Sequence, residues 1–204
     1  MNIRRPGIVL DLYLFLITVF GTLIITRGLA LLVSTEFYFT FQSLFTDRPA
    51  QNLIVALLSK MVGPLACGFA LGWFISSRVL YRDKSLKDVS ALKRRFMRQW
   101  SPTIFLGGFS AAFVSAWPII VYWDLLSNPV VTHLKPIFFI LYLLYMFGYG
   151  YIALLGFLGA VFVRERFFLN ERNTLVSLPE LSRVGALWIL NSGIASAALQ
   201  IISK

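Results

Sequence analysis

Histidine and cysteine each occur once in this chain of 204 residues, and acids are scarce: nine Asp and Glu against nineteen Lys and Arg. The single histidine, His133, rules out a haem held by two histidines and a histidine-rich metal site within the chain. The single cysteine, Cys67, rules out an intrachain disulfide and leaves the redox compartment open. There is no CxxC, no HExxH, no phosphate-binding P-loop and no glycine-rich dinucleotide turn. Charged residues make up 14% of the chain, where a globular domain carries about 25%. The middles of the long apolar runs hold no Asp, Glu, Lys, Arg or His, so a proton relay or a charged-substrate path through a bilayer lacks its ingredients.

What the chain does have is apolar sequence in long uninterrupted runs. Hydrophobic residues make up 58% of it, and the mean hydropathy is +0.76. A helix crossing a hydrocarbon core needs about 20 apolar residues. Five segments qualify: Ile8–Val33, Leu53–Leu80, Pro102–Trp123, Pro136–Val163 and Leu181–Ile202. The predicted fold class is therefore an all-α integral membrane bundle of five helices, forming one domain over residues 1–204. Arg27 and Lys60 sit near ends of the first two runs, where long basic side chains snorkel to the headgroups. The stretch Leu53–Ser59 reads either as the start of the second span or as a surface segment ahead of it.

Arg4 and Arg5 before an apolar stretch imitate a secretion signal, but the stretch is a full span long and no small-x-small cleavage pattern follows. A retained signal anchor is expected. Pro6 after the arginine pair does not suit a twin-arginine export signal.

Loop charges set the orientation. Residues 1–7, 81–101 and 164–180 are basic, and the segments between them carry little net charge. This alternation predicts an odd number of spans, with the amino terminus cytoplasmic and the carboxyl terminus outside. A bacterial inner membrane is the expected location. Ser177-Leu178-Pro179-Glu180 predicts the start of the fifth helix: a serine cap, a proline in the first turn and a glutamate reaching back. On the opposite side, Phe37, Tyr38, Phe39, Phe41 and Phe45 suit an interfacial aromatic belt.

Between the second and third spans, Leu86, Val89, Leu92, Phe96 and Trp100 recur at helical spacing. Lys87, Arg94, Arg95 and Arg98 project from another side, so an amphipathic basic helix lying in the headgroup layer is predicted. Its charges anchor topology by the positive-inside rule, which is the leading reading. The functional reading is docking of anionic lipid or an acidic partner. Nucleic acid is not an expected partner, because no reader fold accompanies the stripe.

Asp11, Arg78, Arg164 and Glu165 all lie near cytoplasmic ends of spans, where an ion-pair cluster would hold helices one, two and four in register. For Asp11 the helix dipole and the nearby arginines are the simpler account. Small residues recur four apart: Gly68 and Gly72, Gly108 and Ala112, Ala111 and Ser115, Gly156 and Ala160, Gly193 and Ala197. Such spacing lets helix backbones approach closely, which matters where lipid supplies no hydrophobic drive between helices. Gly63-Pro64 and Trp117-Pro118 predict kinks. Phe138, Tyr142, Tyr145 and Tyr149 form an aromatic stripe that suits packing first and a quinone, carotenoid or lipid tail second. Asp124, Ser127 and His133 share an outer loop, and a solvated loop explains them better than a hydrolase.

With no reactive constellation and no cofactor motif, the expected function is that of a non-catalytic, multi-spanning subunit of a larger membrane complex. Anionic lipids at the cytoplasmic face and other membrane subunits are the expected partners. The alternative is a small transporter or channel for a neutral or lipid-like substrate.

Overall fold

A computed structural model describes residues 8–32, 49–77, 100–114, 135–169, 175–195 and 198. Within these, side chains are described for 11–26, 61–77, 100–114, 137, 139–169, 175–195 and 198. All elements among the described residues are helices: α1 (Ile8–Leu32), α2 (Pro49–Ile75), α3 (Trp100–Val114), α4 (Lys135–Val163) and α5 (Leu178–Trp188). Three of them continue in the wider π wind, α2 at Ser76 and Ser77, α4 through Arg164–Phe168 and α5 through Ile189–Gly193.

Helix is the only state in which such apolar runs satisfy their own backbone groups without neighbours. One helix, Phe139–Phe168, is 30 residues long and apolar enough to cross a membrane. The apolar stretches Asp11–Thr26, Met61–Ile75 and Trp100–Val114 are shorter. The backbone of α2 runs unbroken from Pro49, so Leu53–Ser59 belongs to the same helix as Met61 onward. Pro64 lies inside α2 without ending it. The predicted aromatic belt, the basic helix with Lys87, Arg94, Arg95 and Arg98, the Trp117-Pro118 kink and the outer loop with Asp124, Ser127 and His133 all lie outside the described residues.

Helix α4 is central. It packs against α2, α3 and α5, while α1 packs on α2 and α3. The larger apolar cluster joins Leu14, Leu71, Ile75, Trp100, Ile104, Phe157, Leu158 and Val161 with Leu175 and Val176 from the lead-in to α5. Ala112, Met146 and Tyr149 form a second cluster farther along α3 and α4. One end of the bundle thus gathers the start of α1, the end of α2, the start of α3, the end of α4 and the start of α5.

The start of α5 follows its sequence signature. The Glu180 carboxylate accepts the backbone N–H of Ser177 at 2.7 Å and the Ser177 hydroxyl at 2.9 Å. Pro179 occupies the first turn, where its missing N–H costs nothing. Replacing Glu180 with alanine is expected to destabilise the chain by about 1 kcal/mol. Faster amide exchange at the first turn of α5, with the rest of the bundle unaltered, is the readout.

Candidate functional site

The features that dominate this structure are helix contacts. Gly68 and Gly72 lie on the face of α2 that meets α4. A Cβ on Gly68 would collide with the Ala153 carbonyl oxygen and sit 2.9 Å from its carbon. On Gly72 it would collide with the Phe157 carbonyl oxygen and sit 3.0 Å from that carbon. The contact is reciprocal, for a Cβ on Gly156 would meet the Leu65 carbonyl and lie 3.0 Å from the Phe69 nitrogen. Ala160, one turn on from Gly156, is fully buried. The two predicted small-residue motifs of α2 and α4 therefore form one seam, in which main chain touches main chain.

A second seam joins α3 to α4. A Cβ on Gly108 would stand 2.7 Å from the Tyr149 carbonyl oxygen and 2.8 Å from Ala153 Cβ. Gly150 answers it from α4, 2.9 Å from the Phe105 carbonyl oxygen by the same measure. Ala112 continues this seam, fully buried beside Met146 and Tyr149.

Other contacts were not singled out from sequence. A Cβ on Gly21 would come within 2.8 Å of Cys67 Sγ, and one on Gly107 within 2.7 Å of Thr18 Cγ2, closing α1 onto α2 and α3. Gly63 lies against Thr22 and Thr26, and Gly148 against Ser192 of the π turn after α5. Each is a small residue facing a small side chain, and Gly107, four residues before Ala111, belongs to a four-residue repeat. The Cys67 thiol is buried and points at the carbonyl oxygens of Ile17 and Thr18, at 3.6 and 3.8 Å. It serves as a polar contact between α2 and α1.

The tyrosine stripe is packed in the same way. Tyr145 donates to the Tyr149 hydroxyl at 3.2 Å, and both rings join Tyr142, Phe109 and Met146 in the second cluster. The side chain of Phe138 lies outside the described residues.

Three members of the expected ionic cluster, Asp11, Arg164 and Glu165, are among the described residues. Arg164 reaches back to α2, donating to the Trp73 carbonyl at 3.2 Å and to Ser76 Oγ at 3.5 Å. Its guanidinium carbon stands 5.5 Å from the centre of the Trp73 ring, within cation–π range. Glu165, only 3% exposed, turns the other way and accepts the N–H of Leu175 at 2.7 Å. The π turn between them and Leu169 closes with an i→i+5 bond of 3.1 Å from Leu169 N–H to the Arg164 carbonyl. Adjacent residues thereby tie α4 to α2 and to the lead-in of α5. Asp11 stands in the first turn of α1, with Oδ1 buried and no hydrogen bond to it. Arg78 lies outside the described residues.

Among the described residues no three of His, Cys, Asp or Glu converge as a metal set. No family model, curated protein or solved structure matches this chain.

Proposed function

We propose that this chain is a non-catalytic, multi-spanning subunit of a larger membrane protein complex. It crosses the membrane five times, as one domain, with its amino terminus in the cytoplasm of a bacterial cell. Large apolar side chains face outward on every helix, among them Phe20, Ile24, Phe74, Leu106, Ile140 and Ile189. A surface of that kind is stable in lipid or under a partner, and far larger than a water-soluble monomer tolerates.

The observation that carries the subunit reading is the unfilled small-residue face of α5. Most glycines of the bundle are pressed against a neighbouring helix, whereas among the described residues nothing comes within 4 Å of a Cβ on Gly185 or Gly193, or on Gly159 of α4. Ser182, Ala186 and Ile189, all exposed, lie on that outer side, while Leu181 and Val184, beside Gly185, pack on the core. A seam of the kind that joins α2 to α4 is thus half built on the outer helix. Its complement is a transmembrane helix of a partner bearing small residues of its own. The basic residues Lys87, Arg94, Arg95 and Arg98 add a cytoplasmic contact surface in this reading.

The transporter alternative needs a path between helices. The α2–α4 seam, with main chain against main chain, is a poor place for one.

Replacing Gly185 and Gly193 together with isoleucine fills the open face and leaves the core alone. Gentle-detergent purification should then lose its stoichiometric partners by about tenfold or more, while the variant keeps the melting temperature of the parent. A parent chain that purifies without any stoichiometric partner overturns the proposal.

A further inference from the structure

We propose that the outer face of α2, near the Arg164 end, binds one anionic phospholipid of the cytoplasmic leaflet. The site rests on the membrane orientation above. It is a groove of about 670 Å³, open along one side, lined by Phe69, Ala70, Trp73, Phe74 and Ser77 of α2 with Val163 and Phe168 of α4 and its π turn.

Three features select the occupant. The first is direction. The α2 lining residues follow one face of the helix from Phe69 to Ser77, about 12 Å along its axis. A groove along a spanning helix runs the way an acyl chain runs, not across it. The second is polarity. The deep end is Phe69 and the shallow end carries the Ser77 hydroxyl; next to the lining, Arg164 holds its positive charge over the Trp73 ring while donating to the Trp73 carbonyl and Ser76. Apolar floor and cationic rim match the tail and phosphate of an anionic lipid in the same order. Arg166, exposed on the same π turn, adds a second cation at headgroup level.

The third is the wall itself. Trp73 packs edge-on against Phe168 at 5.1 Å between centroids and is stacked with Phe69 at 6.1 Å. Phe167 and Phe168 are exposed beyond it, 73% and 69%. An indole at a membrane interface with its apolar body toward the tails is a favoured arrangement. The π wind from Arg164 is what swings Phe168 across to Trp73, so the turn that anchors α4 also builds the groove wall.

The test uses the full-length chain, stripped of lipid in detergent and offered phosphatidylglycerol and phosphatidylcholine in equal amounts, with bound lipid read by native mass spectrometry. The parent should retain phosphatidylglycerol over phosphatidylcholine by about fivefold. Phe168→Ala should lower retention of both, since it removes the wall. Arg164→Gln should erase the preference and keep the tail contact. Because Arg164 also braces α2, Arg166→Gln serves beside it, and it should reduce the preference without touching the bundle.

Equal retention of the two lipids by the parent, or a preference that neither arginine variant alters, overturns the proposal. A photo-reactive benzoylphenylalanine in place of Phe168, irradiated in the native membrane, separates the occupants: a lipid adduct supports the site, and a protein adduct overturns it in favour of a partner helix. Resistance to alkaline carbonate extraction is measured in parallel. A chain that resists extraction but shows no lipid preference loses the groove alone. A chain that is extracted loses the membrane reading with it.

Discussion

Leucine in place of Gly68 or Gly72 should prevent this bundle from assembling. The obstacle is the main chain of α4: the carbonyls of Ala153 and Phe157 occupy the space where a side chain would begin. A side chain that meets another side chain can push it into a new rotamer, but a helix backbone has no rotamer to adopt. The whole of α4 would have to retreat, and Gly156, pressed on Leu65 from the other side, would lose its contact as well. Ordinary overpacking costs about 1–3 kcal/mol. Separation of a backbone-to-backbone seam also forfeits dispersion along its length, so a loss of about 4 kcal/mol or more is expected. That is a large share of the roughly 5–15 kcal/mol that keeps a protein folded.

Size-exclusion profiles and melting curves of the detergent-solubilised variants read this directly, with aggregation or failed expression as the expected result. Gly159→Ala is the matching control. Nothing stands within 4 Å of a Cβ there, so alanine should be neutral or stabilise by about 0.5–1 kcal/mol through its helix propensity. A Gly68→Leu chain that elutes and melts like its parent would show that the seam is not what holds α2 on α4.

The second large effect is expected at Glu165. Its carboxylate is buried and accepts the N–H of Leu175, itself buried at 5% exposure. Leucine at position 165 fills similar space but accepts nothing, leaving a buried donor without its carboxylate. A hydrogen bond to a charged group contributes about 1.5–3 kcal/mol, and an orphaned buried amide adds a cost of similar size. The loss falls on the lead-in to α5, because Leu175 and Val176 are its contribution to the main cluster. The expected result is amide exchange at Leu175 faster by about tenfold or more, with α2 and the middle of α4 little changed. Glu165→Gln keeps an acceptor and should recover most of the protection. Equal exchange in the leucine variant and the parent would refute the role given to Glu165.

Parts of this arrangement were legible before any coordinates. Helix starts lie near the starts of the apolar runs: α1 begins at Ile8 and α4 one residue before Pro136, while α2 begins at Pro49, four residues ahead of Leu53. The α5 cap could be read because capping is local, a matter of residues three apart finding one another. The motifs Gly68/Gly72 and Gly156/Ala160 were legible as packing faces, since four-residue spacing puts small residues on one side of a helix. Nothing in that spacing says which other face each one meets.

The ionic cluster shows the limit. Arg164 and Glu165 are adjacent, close to one end of a span, and opposite in charge, so sequence invites a shared network. Adjacency does not announce that Arg164 also reaches the Trp73 carbonyl and Glu165 the N–H of Leu175, because those contacts depend on tertiary partners far along the chain. Gly148 was equally silent, because a lone glycine opposite a lone serine leaves no pattern along the chain.

Sequence alone determined that this chain forms helices, roughly where each begins, and which classes of chemistry it lacks. Those properties depend on hydrogen bonds four residues apart, on runs of side-chain polarity, and on residue types simply present or absent. Only the tertiary structure decided that α4 lies at the centre and that the glycines of α2 rest on its backbone. Those outcomes depend on contacts between residues as many as ninety apart, such as Arg164 with Trp73. Which faces meet is decided by how all the helices fill space together.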